Sequence, residues 1–244
     1  MERIKFDKYR LKLYGKEPVC VLIPHKISRM WRLVGFREEE YGTDIQGDMD
    51  AMLALMYSFA VLMNDPYKII FFPIRNNSKC QGCGYEPIRE DIVFTTRKVT
   101  FKVKDWKNYK KLIGKNRPET YILSYDRNRM DAYVENFLAR RRYHDDDRWN
   151  RFNGYERVCF DTLFMCVDQV AYLEAYKNMR EWLDEDLDDC FLHQDWLPYG
   201  GYLHVLSPYP RDPRLNHSSR FYLEMYYVNE KLAEEKKGMA GQIT

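Results

Sequence analysis

The stretch "GDMDAMLALMYSFAVLMNDPYKIIFFPI", residues 47 to 74, decides how this chain folds. Met49, Leu53, Met56, Phe59 or Ala60, and Met63 recur at helical spacing, and Asp48 or Asp50 stands where a cap is needed. The segment is apolar nearly all round, so the helix belongs inside the protein. "YKIIFFPI" follows as a strand stopped by Pro73. Upstream, Tyr9, Leu11 and Leu13 alternate with Arg10 and Lys12, and "VCVLIP" is an apolar run of buried-strand length. The fold class is α+β: mixed or antiparallel N-terminal strands around one buried helix.

Downstream, Ile92, Phe94 and Thr96 alternate with one parity and Val99, Phe101 and Val103 with the other. This predicts a hairpin with a turn or bulge near Arg97 and Lys98. The second half reads as mostly helical. "DRNRMDAYVENFLARRR" carries Met130, Tyr133 or Val134, Phe137 and Leu138 on one stripe. A longer helix is expected from about Tyr155 to Leu187, on Phe160, Leu163, Phe164, Val167, Val170 and Met179. "YLHVLSPYPRDPR" predicts a short strand and a proline-rich loop, and a last helix from Ser218 or Ser219 is ended by Gly238. No repeat or Gly/Ser-rich linker marks a boundary. One domain over residues 1–244 is the simplest reading, with a strand-rich 1–118 and a helix-rich 119–244 as the alternative subdivision.

Apolar residues make up 45% of the 244, ample for a core, and 39 Lys and Arg nearly balance 37 Asp and Glu. The charges are segregated, however. Arg97 to Arg117 holds nine basic residues against Asp105 alone, and Glu181 to Asp189 holds six acids and no base. "MERIKFDKYRLKLYGK" lacks the apolar centre of a signal peptide, and no run reaches membrane-span length, so the expectation is a soluble chain made in a cytoplasm. In that setting six irregularly spaced cysteines do not form a disulfide framework.

Each candidate for chemistry has a plainer reading beside it. Cys80-x-x-Cys83-Gly84 has the spacing of half a zinc site, and Cys190-x-x-His193 would complete a tetrahedral set. Zinc is the one cofactor considered; otherwise these are unligated thiols. His144 with Asp145, Asp146 and Asp147 has the ligand types of a metal-dependent hydrolase, but adjacent carboxylates on a loop point different ways. There is no phosphate-binding glycine loop, nucleophile elbow or zinc-protease helix, so no enzyme is expected and no catalytic residue is assigned.

The basic segment, with Lys102, Lys104, Lys107, Lys110 and Lys111, admits three readings. It could track a nucleic-acid backbone with Phe101, Trp106 and Tyr109 stacking on bases. It could be the solvated face of a hairpin whose Phe101 points to the core. Or it could dock on the acidic face, Asp184, Glu185, Asp186, Asp188 and Asp189, of another copy, a head-to-tail contact that closes into a ring when the rotation allows. Twenty tyrosines and five tryptophans suit protein interfaces, which favours the third reading.

"FDKYRLKLYGKEPVCVLIPHKISRMWR", then "YGTDIQGDMDAMLALMYSFAVL", then the tyrosine- and arginine-rich remainder, resembles virion proteins of tailed bacteriophages of the gut. In particular it resembles the tail-stabilisation or head–tail ring proteins of crAss-like phages. The resemblance covers roughly the first quarter of the chain and has no signature motif. It implies a structural, ring-forming component of the virion between portal and tail, not an enzyme. Non-specific DNA contact is expected besides and, from the lack of an apolar span, no membrane. No functional residue carries over. The alternatives are a zinc-stabilised nucleic-acid-binding protein and a metal-dependent hydrolase.

Overall fold

The structure is a computed structural model that describes residues 1–25, 30–33, 36–37, 40–47, 49–74, 91–140, 154–184, 202–207 and 219–227. In chain order the elements are β1 (Glu2–Leu11), β2 (Val19–Pro24), β3 (Met30–Leu33), β4 (Phe36–Arg37), β5 (Glu40–Gly47), α1 (Met49–Asn64), β6 (Lys68–Phe72) and β7 (Asp91–Thr96). A 3-10 turn, Val103–Asp105, leads into α2 (Trp106–Ile113), β8 (Glu119–Tyr125), α3 (Arg127–Arg140), β9 (Gly154–Cys159), β10 (Thr162–Val167), α4 (Gln169–Asp184), β11 (Tyr202–Ser207) and β12 (Ser219–Tyr227).

Seven strands form one mixed sheet in the order β8-β1-β2-β6-β7-β10-β9, and a second sheet runs β11-β12-β5-β3 with β4 also paired to β5. In the first sheet β2 runs parallel to β6 and β7 parallel to β10, while the remaining neighbours are antiparallel. The parallel pairs require long crossover connections, and the two insertions between their strands supply α1 and α2 to α3 respectively. The fold is α+β, as its first quarter indicates.

Helix α1 is buried as its sequence demands: Met52, Leu55, Phe59, Ala60 and Met63 are all excluded from water. Its polar positions turn to the backbone instead, Ser58 Oγ donating to Ala54 O at 2.6 Å and Asn64 Nδ2 to Ala60 O at 2.7 Å. Asp50 lies in its first turn, where a carboxylate complements the exposed amides; Asp48 lies outside the described residues.

The central strands are sandwiched. Leu22, Ile70, Phe72, Ile92, Phe94 and Met165 pack with α1, α3 and α4 on one face. Val21, Ile69, Phe71, Val93 and Phe164 pack with Trp106 and Tyr109 of α2 on the other. Every residue of β7 and of β10 is buried, the pattern of strands covered on both sides. The Tyr172 hydroxyl sits 2.8 Å from Thr95 O and 3.0 Å from Met165 O, tying α4 to both parallel strands. The second sheet is joined to this unit through α1, which meets β5 and β12, and through β11, which meets α4 and β9.

Three expectations are corrected. The residues from Tyr155 form a β9–β10 hairpin before α4 starts at Gln169, so the described residues of the second half carry the strands β8 to β12 besides α3 and α4. Phe160, Leu163, Phe164 and Val167 satisfy a helical spacing, but "TLFMCV" is one continuous apolar run between two aspartates and fills a doubly covered strand. Residues 219–227 are strand β12, not a helix. And the residues directly after Lys98 form no hairpin strand with β7: Val99 and Phe101, with Val103 at the start of the 3-10 turn, pack over the second face of the sheet.

Candidate interaction surface

The basic segment Arg97 to Arg117 is the outer layer on that second face. Its aromatic residues are committed inward: Phe101 lies 5.8 Å from Trp106, 6.2 Å from Tyr109 and 5.9 Å from Phe164, and Phe71 meets Trp106 edge-on at 5.0 Å. Trp106 and Tyr109 are fully buried. Burial, and secondarily the Asp105 carboxylate, pushes the Tyr109 hydroxyl pKa up, so it stays protonated. Each such ring contributes roughly 1.5–3 kcal/mol by burial. None of the three is presented for base stacking.

The lysines divide into two groups. Lys102, Lys104, Lys107 and Lys111 are exposed, and none of them pairs with a described acid. Lys110 folds under the layer instead: its Nζ lies 3.1 Å from Asp91 Oδ2 and donates to Phe160 O at 3.3 Å and Thr162 Oγ1 at 3.4 Å. Asp91 opens β7 and is buried, so a cation is needed beside it. Lys16 Nζ reaches Asp105 Oδ2 at 2.6 Å, which neutralises the segment's single acid and leaves the ridge purely basic. Lys110 is therefore tied into the fold, and the exposed basic ridge consists of Lys102, Lys104, Lys107 and Lys111.

Of the acidic face, Asp184 is the last residue of α4, while Glu185, Asp186, Asp188 and Asp189 lie outside the described residues. Cys80, Cys83, Cys190 and His193 also lie outside them, as do His144, Asp145, Asp146 and Asp147. Among the described residues no group of three or more His, Cys, Asp or Glu could hold a metal, and no helix is long and apolar enough to cross a membrane. Cys159 ends β9 half-buried and Cys166 is buried in β10, neither on a helix; these and Cys20 carry no disulfide.

Sequence reasoning missed a polar chain at the opposite face. Tyr176 OH donates to Asp131 Oδ1 at 3.0 Å and lies 2.8 Å from Tyr125 OH. Arg180 Nε stands 3.5 Å and Arg127 Nε 3.8 Å from the same carboxylate. Burial raises the pKa of both Tyr176 and Tyr125, most strongly that of Tyr176, so both hydroxyls keep their protons near neutral pH. Only the helical spacing of Asp131 to Arg127 was readable in advance.

No family model, curated protein or solved structure matches this chain.

Proposed function

We propose that the chain is an assembly protein that works through contacts with copies of itself and with neighbouring subunits. The observation that carries this reading is the ridge of Lys102, Lys104, Lys107 and Lys111, exposed and without described partners, on a layer whose aromatics are all turned into the core. A ridge of this kind gives register and encounter rate against an acidic surface rather than a chemical step. The acid-rich segment Glu181 to Asp189 of another copy is the complementary partner, and the contact is head-to-tail. The sequence resemblance supports a finer form: a ring-forming head–tail connector or tail-stabilisation component of a virion, made in the host cytoplasm, with portal and tail proteins as neighbours and DNA as a non-specific contact.

Reversing the four lysines to glutamate while keeping Lys110 tests the reading. The salt-sensitive part of self-association at low salt should be lost while the thermal unfolding profile is retained. Unchanged association in the variant would refute it.

A further inference from the structure

Strand β8 ends the seven-stranded sheet, and among the described residues its one strand neighbour is β1. The direction of its free groups follows from the register. His25 N donates to Lys5 O at 3.3 Å, so the peptide groups of Lys5 face β2 and those of Ile4 and Phe6 face β8. Their partners Leu123 and Tyr121 therefore face β1, and the N–H and C=O groups of Thr120, Ile122 and Ser124 point away from the sheet. No described residue takes them up.

Edges of this kind are ordinarily blunted by lysine, by an internal proline or by shortness. Here "ETYILSY" has none of these, and its one charge, Glu119, is held by Lys8 at 2.7 Å. Ile122 is 37% exposed, a large apolar side chain left at the surface of a strand.

We propose that β8 pairs with β8 of a second copy, antiparallel, about a two-fold axis at Ile122. The segment is self-complementary in that register. Thr120 meets Ser124, Tyr121 meets Leu123 and Ile122 meets itself, so Tyr121 and Leu123 continue the helix-covered face and Thr120, Ile122 and Ser124 continue the open one. Each outward residue both donates and accepts one inter-chain bond. No like charges are opposed, since Glu119 stands across from Tyr125, and Pro118, which has no N–H to give, ends the ladder. A head-to-tail neighbour or a foreign strand would have to match a sequence not tied to this symmetry. The contact is independent of the lysine ridge, and where both operate the assembly is dihedral, with an even number of subunits.

Two variants of the full chain test it in sedimentation velocity at high salt, where ridge contacts are screened. Ser124→Pro removes an outward N–H, which the isolated subunit does not use, and Ile122→Lys places two cations opposite each other. The wild type should be a dimer, and each variant should raise its dissociation constant about tenfold or more while keeping the wild-type circular dichroism and melting profile. Ile122→Val, which keeps the strand apolar, should dimerise as the wild type does and separates edge chemistry from simple side-chain loss. A wild-type monomer at high salt, or a dimer that survives in both folded variants, would overturn the pairing.

Discussion

Replacing Lys110 by alanine should destabilise the protein far more than the same change at Lys111, one residue along the same helix. The Lys110 side chain is 26% exposed and approaches Asp91, whose side chain is 7% exposed, at 3.1 Å. Removing the cation takes a counter-charge at 3.1 Å away from a carboxylate in a largely dry position. Breaking a fully buried pair costs about 3–5 kcal/mol, and partial exposure of the lysine lowers this to about 2 kcal/mol. Loss of the bonds to Phe160 O and Thr162 Oγ1 works in the same direction, because they brace the β9–β10 turn against α2. Lys111 is exposed and without a described partner, so its removal should stay within about 0.5 kcal/mol. Urea unfolding followed by tryptophan fluorescence measures both, and a cycle with Asp91→Asn should return a coupling of about 1–3 kcal/mol. Equal midpoints for the two lysine variants would refute the division of the basic segment into a structural and a surface part.

The β9–β10 turn should accept improvement: Phe160 and Asp161 both hold φ at 54°, the left-handed pair of a tight hairpin, where Asn-Gly is favoured. Phe160 is 42% exposed, so Phe160→Asn gives up little burial and should gain about 0.5–1 kcal/mol, read as a melting point raised by about 1–4 °C. A lowered melting point would show that the Phe160 ring contributes more than its backbone costs. The raised pKa values of Tyr125 and Tyr176 fix the sign of an alkaline effect. Both are protonated in either state below about pH 10, and above it the unfolded chain ionises while the native state resists. Stability should thus be level below about pH 10 and fall by up to about 1.4 kcal/mol per pH unit for each such tyrosine above it. Tyr176→Phe should flatten that fall and cost about 1–3 kcal/mol at neutral pH by stranding the Tyr125 hydroxyl; an unchanged alkaline slope would contradict the assignment.

The parts of the fold readable in the sequence are those where one force dominates. Helix α1 and strands β2 and β6 are apolar runs buried at most of their positions, so no other element competes for them. The β9–β10 hairpin was hidden because its turn is Phe160-Asp161, without the glycine or asparagine that announces such turns. Strand β12 did carry a signal, the alternation of Phe221, Leu223, Met225 and Tyr227, which is a period of two rather than of a helix. The change of parity after Thr96 was a real mark in the sequence, but of a chain leaving the sheet rather than turning back along it. At the surface, composition located the basic segment and could not separate Lys110 from its neighbours. That distinction depends on Asp91, nineteen positions earlier and brought alongside only by the sheet.

The central claim is that the lysine ridge drives assembly, and the mass of the purified chain as a function of salt tests it most directly. Native mass spectrometry and sedimentation at rising ionic strength should show a species larger than a dimer at low salt that falls back to the β8 dimer as the ridge is screened. The variant with Lys102, Lys104, Lys107 and Lys111 reversed should remain at the dimer at every salt concentration. A wild-type chain that never exceeds a dimer, even at the lowest ionic strength, would contradict the account.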